Sequence, residues 1–234
     1  MQFDSEEPPG QSSEDLGGPA ELVMPPDSRY SVRLPMAMAY AATQHAGQVR
    51  KDAQQTPYIG HPMTVAALVL EQGWGDERFE HEMEELVIAA LLHDVAEDVG
   101  GEPKLNEIRS MFGDRVAEVV RVASDSLETD PELVPPWRTR KEDHIARVRA
   151  LAAQSDGNES RDPGACLVIG CDKLHNLTAT VAGVNLDGER HFERFSGGAE
   201  GTRWYYRSMY EALRPALSPR MSSMLSQQLD ALSA

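Results

Sequence analysis

At 234 residues, with 41% apolar and 26% charged side chains, the chain has the size and composition of one ordinary globular domain with a full hydrophobic core and some excess at its ends. Its formal net charge of -16 argues against long nucleic acid as a partner, because phosphate backbones are bound through accumulated Lys and Arg contacts. No apolar run approaches the roughly 18 to 20 residues that span a bilayer, so no membrane partner is expected either.

The first segment, residues 1–28, combines low hydrophobicity with one sign of charge: Asp4, Glu6, Glu7, Glu14, Asp15, Glu21 and Asp27 all precede the first basic residue, Arg29. With Pro8, Pro9, Gly10, Gly17, Gly18, Pro19, Pro25 and Pro26 interspersed, it reads as a disordered acidic tail. At a Debye length of about 10 Å in 0.1 M salt such a tail hardly sets the potential of a distant cleft, so a small phosphorylated ligand remains admissible. No basic region followed by an apolar run opens the chain, and Cys166 and Cys171 are too few for a disulfide scaffold. A soluble, cytoplasmic protein is expected.

From Arg29 to Ala234 apolar residues recur at helical spacing and period-two strands do not appear. The pattern predicts a single all-α domain over 29–234, with helices near Met36–His45, Pro62–Gln72, Phe79–Glu97, Lys104–Met111, Asp114–Ala123, Arg138–Ala153, Gly164–Ala182, Gly201–Leu213 and Arg220–Leu232. Gly, Pro and Asp mark the joints. The stretches 125–136 and 156–163 read as irregular.

The segment Leu91-Leu92-His93-Asp94-Val95-Ala96-Glu97-Asp98 ends a strongly apolar helix. Four polar groups at the end of a buried helix cost several kcal/mol unless something compensates them, and a metal ion would. A helix-terminal hydrogen-bonding pair followed by a solvated end is the alternative. Two more polar insertions shift the balance: Tyr58-Ile59-Gly60-His61-Pro62, where the proline suits a first helical turn, and Gly170-Cys171-Asp172-Lys173-Leu174-His175-Asn176 after the apolar run Cys166 to Ile169. Together they point to one site.

Here the chain resembles the hydrolase domain of the RelA/SpoT homologues, within the HD superfamily. The motifs stand in order as His45-Ala46-Gly47-Gln48-Val49-Arg50-Lys51, Pro57-Tyr58-Ile59-Gly60-His61-Pro62, Leu91 to Asp98, Phe112-Gly113, and Asp172-Lys173-Leu174-His175-Asn176, and the likeness covers roughly Met36 to Tyr210. The flanks Pro136 to Lys141 and Trp204 to Arg207 look like those of the short stand-alone members. The resemblance implies one Mn²⁺ held by His61, His93, Asp94 and Asp172, with Fe²⁺ also suited to mixed N/O donors. It further implies that Glu97 and Asp98 position and activate the attacking water, and that the substrate is guanosine tetra- or pentaphosphate, the alarmone of the stringent response, which loses its 3′-diphosphate as pyrophosphate. Arg50, Lys51 and Asn176 would contact the nucleotide, with Lys173, Arg140 and Lys141 as further phosphate neighbours.

The chain departs from the family in two places. Asp52-Ala53-Gln54-Gln55-Thr56 carries no glycine where the family has a short Gly-containing turn, and Cys171 stands where alanine is common; the cysteine reads as a small buried side chain. The loop Asp52 to Thr56 is also where an alternative substrate, such as NADPH or a nucleotide monophosphate, would be told apart. A nucleotide-binding regulator without catalysis is the alternative of another class. His45 reads as a residue behind the ligands, His175 as facing away from Asp172, and His81, His144 and His191 as surface or satisfied core positions. Trp137, Trp204, Tyr205 and Tyr206 read as packing aromatics. Nothing in the sequence fixes the oligomeric state.

Overall fold

The computed structural model describes residues 24–153 and 161–233. The expected tail therefore lies outside the described residues up to 23, and the expected 156–163 loop up to 160. Residues 25–28 form a turn in which the Ser28 amide donates to the Pro25 carbonyl at 3.0 Å. Just beyond it, the Arg29 guanidinium lies 5.3 Å over the Trp74 ring.

As the apolar spacing predicts, the fold is all-α. The helices are α1 (Arg33–Gln44), α2 (Gly60–Gly73), α3 (Met83–Leu92), α4 (Gly101–Phe112), α5 (Asp114–Ala123), α6 (Trp137–Ala152), α7 (Pro163–Asp187), α8 (Gly198–Leu213) and α9 (Pro219–Ser233). Among the described residues extended pairing is confined to one bridge between Val49 and Pro57. No helix among them is long and apolar enough to cross a membrane.

α3 is the hub. Every residue from Leu86 to Leu92 is buried, which is why this segment shows no polar face, and α1, α2, α5 and α7 pack around it. α7 is the second axis. Asp162 caps it by accepting from the Ala165 amide at 2.8 Å, Pro163 suits its first turn, and its buried face runs from Gly164 to Val181. α6 and α8 pack on each other and on α7, leaving a cleft between them and the far end of α3, while α9 closes the opposite flank of α7 and α8.

The structure differs from the expected single helix Phe79–Glu97. Residues Glu77–Phe79 form a separate 3₁₀ turn, α3 ends at Leu92, and Ala96–Gly100 form one π turn. The wider turn ends at Gly101, whose φ of 60° favours glycine and whose amide donates to the Ala96 carbonyl. A Cβ there would collide with the Leu127 carbonyl and the Thr129 side chain, so residues 127–129 sit directly against the chain leaving the π turn. Such turns swing side chains off the regular helical register and recur at functional sites; here the displaced side chains are Glu97 and Asp98.

Candidate metal centre

His61 opens α2, His93 follows the last residue of α3, and Asp172 stands in the first half of α7. Packing of these helices brings the three together: one donor atom from each lies within 4.8 Å of the others, and all three residues are buried. The two imidazole Nε2 atoms are 3.2 Å apart. Asp172 Oδ1 approaches them at 3.2 and 3.6 Å. Asp94 Oδ2 reaches the same nitrogens from the other side, 3.4 Å from His61 and 3.0 Å from His93.

Hydrogen bonds orient each of these side chains, at the far nitrogen of His93 and at oxygens of both aspartates that include the ones facing the histidines. His93 Nδ1 lies 2.8 Å from the Ala90 carbonyl, a group that only accepts, so Nδ1 carries the proton and Nε2 offers a lone pair. Asp172 Oδ2 accepts from the Lys173 ammonium at 2.5 Å and Oδ1 from the Asn176 amide at 2.5 Å. Tyr58 Oη donates to Asp94 Oδ2 at 2.5 Å. Lone pairs thus face one another across a buried space, an arrangement that a cation at its centre stabilises. Electrostatics point the same way. Burial opposes protonation of His93, yet Asp94 and Asp172 outweigh it and hold the ring well above its usual pKa, so the carboxylates favour a positive charge at Nε2, where a cation would take the place of the proton and leave the neutral ring as its ligand. For Asp172, burial is likewise overridden by Lys173 and the two histidines, which push it well below the carboxylate range. Two neutral imidazoles and two carboxylates sum to a charge of about -2, matching a divalent ion. The residues fit a divalent metal.

A cavity of about 510 Å³ opens beside this cluster, lined by Asp94 and Asp172 on one side and by Glu97, Asp98, Arg50, Lys51 and Asn176 among others. Burial first, then Asp94, pushes the Glu97 carboxyl up to about 7. Asp98 rises to about 7 through burial, Asp94 and Glu97. One Glu97 oxygen, Oε2, accepts the Asp125 amide at 2.6 Å.

The residues expected to bind the nucleotide divide into two groups. Arg50 lies 5.7 Å over the Tyr58 ring and donates to Asn176 Oδ1 at 2.7 Å, and Lys51 beside it is exposed on the cavity wall. Asn176 thereby links Arg50 to Asp172. Lys173, in contrast, spends its ammonium on Asp172, while Arg140 and Lys141 both turn to Asp125 Oδ2, Lys141 at 3.0 Å. The glycine-free loop closes on itself: the Arg50 amide donates to the Thr56 carbonyl at 2.8 Å, the Thr56 amide donates to Asp52 Oδ1 at 3.0 Å, and Gln55 takes a positive φ of 52°. Cys171 is fully buried and free, and burial holds its thiol well above the usual value.

Four residues have a place here that the sequence reading missed. His175 stacks on His61, with Nδ1 to Nδ1 at 2.7 Å; its position three residues after Asp172 was the available signal. Tyr58 reaches Asp94, and its place three residues before His61 was the signal. Asp125 had none beyond following an irregular joint. His144 is not satisfied: it is 1% exposed, lines the cavity, and neither ring nitrogen has a hydrogen-bond partner.

The description HD domain belongs to the family model that matches residues 37–191. The chain is 34% identical over 143 residues to the guanosine-3′,5′-bis(diphosphate) 3′-pyrophosphohydrolase MESH1 of Homo sapiens, covering 60% of this chain and 65% of that protein. It is 38% identical over 138 residues to MESH1 of Danio rerio, covering 59% and 63%. The match thus spans less than two thirds of the length of these relatives. The solved structure of a metazoan ortholog of SpoT superposes with a TM-score of 0.62 at 24% identity, over 86% of this chain and 95% of that one, a likeness of fold. With the histidines, the aspartates and the helices that present them all inside the matched span, the chain belongs to the HD domain family.

Proposed function

We propose that the chain is a metal-dependent hydrolase of guanosine tetra- and pentaphosphate that removes the 3′-diphosphate as pyrophosphate. The observation that carries this reading is the meeting of His61, His93, Asp94 and Asp172 at the edge of a 510 Å³ cavity that also holds Glu97, Asp98 and Arg50. Its support is the likeness to relatives whose names state that reaction. In this reading the two histidines and two aspartates hold one Mn²⁺, whose mixed N/O preference they meet. When bound, the metal lowers the pKa of a water at the site and shields the charge that gathers on phosphorus.

The chain's own residues do the rest. Glu97 accepts the proton of the attacking water; a carboxyl held near 7 is matched to proton transfer at neutral pH. Its Oε2 is tied to a backbone amide, so Oε1 faces the work. Asp98, beside it, orients the same water. Arg50, held flat by Asn176 and Tyr58, offers a planar guanidinium to stack on a purine or pair with phosphate. Lys51 answers the phosphate charge. Lys173 neutralises Asp172 and keeps Oδ1 turned to the histidines, leaving phosphate recognition to Arg50 and Lys51. The buried, free Cys171 thiol suits a reducing, cytoplasmic setting.

Incubating pure protein and Mn²⁺ with guanosine tetraphosphate, NADPH and simple nucleotides, and separating products by ion exchange, tests the reading. GDP and pyrophosphate are expected from the tetraphosphate. Tetraphosphate bound but returned intact identifies a sensor, and phosphate released from NADPH alone identifies a different phosphatase; either result refutes the proposal.

A further inference from the structure

We propose that Asp125 and Arg147 are positioning residues that aim Glu97 through the backbone, so that Arg147 on α6 bears on the geometry of proton transfer from outside the cavity. The inference rests on the reading of Glu97 as the proton acceptor.

The chain of contacts is short. Glu97 Oε2 accepts the Asp125 amide at 2.6 Å, a charge-assisted bond that fixes the rotation of the carboxylate. That amide belongs to an irregular stretch between α5 and α6, which by itself has no helical ladder to hold it. It is held from α6 instead. Arg147 Nη2 donates to the Ser124 carbonyl at 2.9 Å and to the Asp125 carbonyl at 3.1 Å, the two carbonyls that flank the amide. The Asp125 side chain, 3% exposed, is gripped at Oδ2 by Arg140 and Lys141. Two cations on one buried carboxylate make its burial tolerable and leave little freedom for its backbone. Farther along the segment, a Cβ at Gly101 would collide with the Leu127 carbonyl, so the chain leaving the π turn approaches closely there. The segment is thus held at Ser124 and Asp125, the residues on either side of the peptide bond that meets Glu97.

Arg147 is the informative member because its side chain is exposed and is not part of the cavity wall. It touches neither the cation cluster nor the space where a nucleotide fits. Its hydrogen bonds run to Ser124 and Asp125, so an effect on turnover that comes with a loosened 125 amide passes through them. Arg140 and Lys141, in the same account, anchor the clamp.

The test uses the Mn²⁺-loaded full chain, with kinetics on guanosine tetraphosphate, metal content, and hydrogen exchange resolved at the residue 125 amide. Arg147→Gln is expected to lower kcat by about 10- to 100-fold, with KM within about twofold of wild type. Bound Mn²⁺ should be unchanged and exchange at the 125 amide at least about tenfold faster. Arg147→Lys, which keeps a donor, should recover part of the loss, and Asp125→Asn, which keeps the amide but weakens the grip of Arg140 and Lys141, should fall between. Wild-type kcat and a protected amide in Arg147→Gln overturn the proposal, as does a fall in kcat that merely tracks lost Mn²⁺. If wild type itself does not turn over, the functional reading has failed and the exchange arm decides alone: protection lost in Arg147→Gln and in Glu97→Ala supports the clamp, and protection kept in either refutes it.

Discussion

Replacing Tyr58 by Phe removes one oxygen from the metal centre while leaving a ring of nearly the same shape. The ring packs 5.0 Å from His45 and 5.6 Å from His61, and those contacts survive. What is lost is the 2.5 Å bond to Asp94 Oδ2, the oxygen that also faces both histidines. Two effects oppose each other. A phenol donating to a carboxylate withdraws density and weakens it as a ligand; it also pins the carboxylate's orientation and stabilises its ionised form. A hydrogen bond to a charged group is worth about 1.5 to 3 kcal/mol, and losing a partner that orients a ligand typically costs about 10- to 100-fold in metal affinity. Orientation wins here because Asp94 Oδ2 lies 3.4 and 3.0 Å from two nitrogens that are themselves 3.2 Å apart, so a rotation of the carboxylate removes it from both. Tyr58→Phe is therefore expected to weaken Mn²⁺ binding by about 10- to 100-fold. Free Mn²⁺, followed by its EPR signal during titration, reads the change, with circular dichroism as the control for folding. Unchanged affinity in a folded variant would refute the reasoning.

Other consequences are as direct. Glu97→Gln should retain Mn²⁺ and lose about 10²- to 10⁴-fold in kcat, measured with stoichiometric metal; equal turnover removes Glu97 from the proton transfer. Asp162 is raised by burial but brought below its usual pKa by Arg115 and the Ala165 amide. Its contribution is thus present above the unfolded carboxylate value and lost as pH falls through the lower folded value. The Tm difference between wild type and Asp162→Asn should accordingly be full at neutral pH and shrink below about pH 4. Gln55→Gly relieves about 1 to 2 kcal/mol of left-handed strain against about 0.5 to 1 kcal/mol of extra chain entropy. A net gain of about 0.5 kcal/mol in denaturant unfolding is expected, and a loss would show that the Gln55 side chain holds the loop.

The helices among the described residues were legible because most have an apolar face repeated over successive turns, and the α5 bounds Asp114–Ala123 match the expected ones. The break in Phe79–Glu97 was not legible, since no Gly or Pro falls within it and the π turn answers to Gly101 and Leu127, far apart in sequence. Within the site, Asp172 and Asn176 share a helical face by spacing alone, and their bond follows from it. The engagement of Lys173, Arg140 and Lys141 by carboxylates could not be read, because a basic residue near a phosphate site and one gripping an acid look alike until the fold supplies the acid. His144 shows the converse: its burial follows the helix period of α6, while the lack of any partner for its two nitrogens appears only once Asp125 is seen 3.9 Å away with Oδ1 itself unpaired.

His61, His93, Asp94 and Asp172 are proposed to share one divalent ion. Pulsed EPR on protein loaded with one equivalent of Mn²⁺ addresses this most directly, since couplings from directly bound imidazole nitrogen are resolved from those of solvent. Two such nitrogens are expected, with one lost in His61→Ala and one in His93→Ala. Tightly bound Mn²⁺ without nitrogen coupling, or with coupling that survives both substitutions, would contradict it.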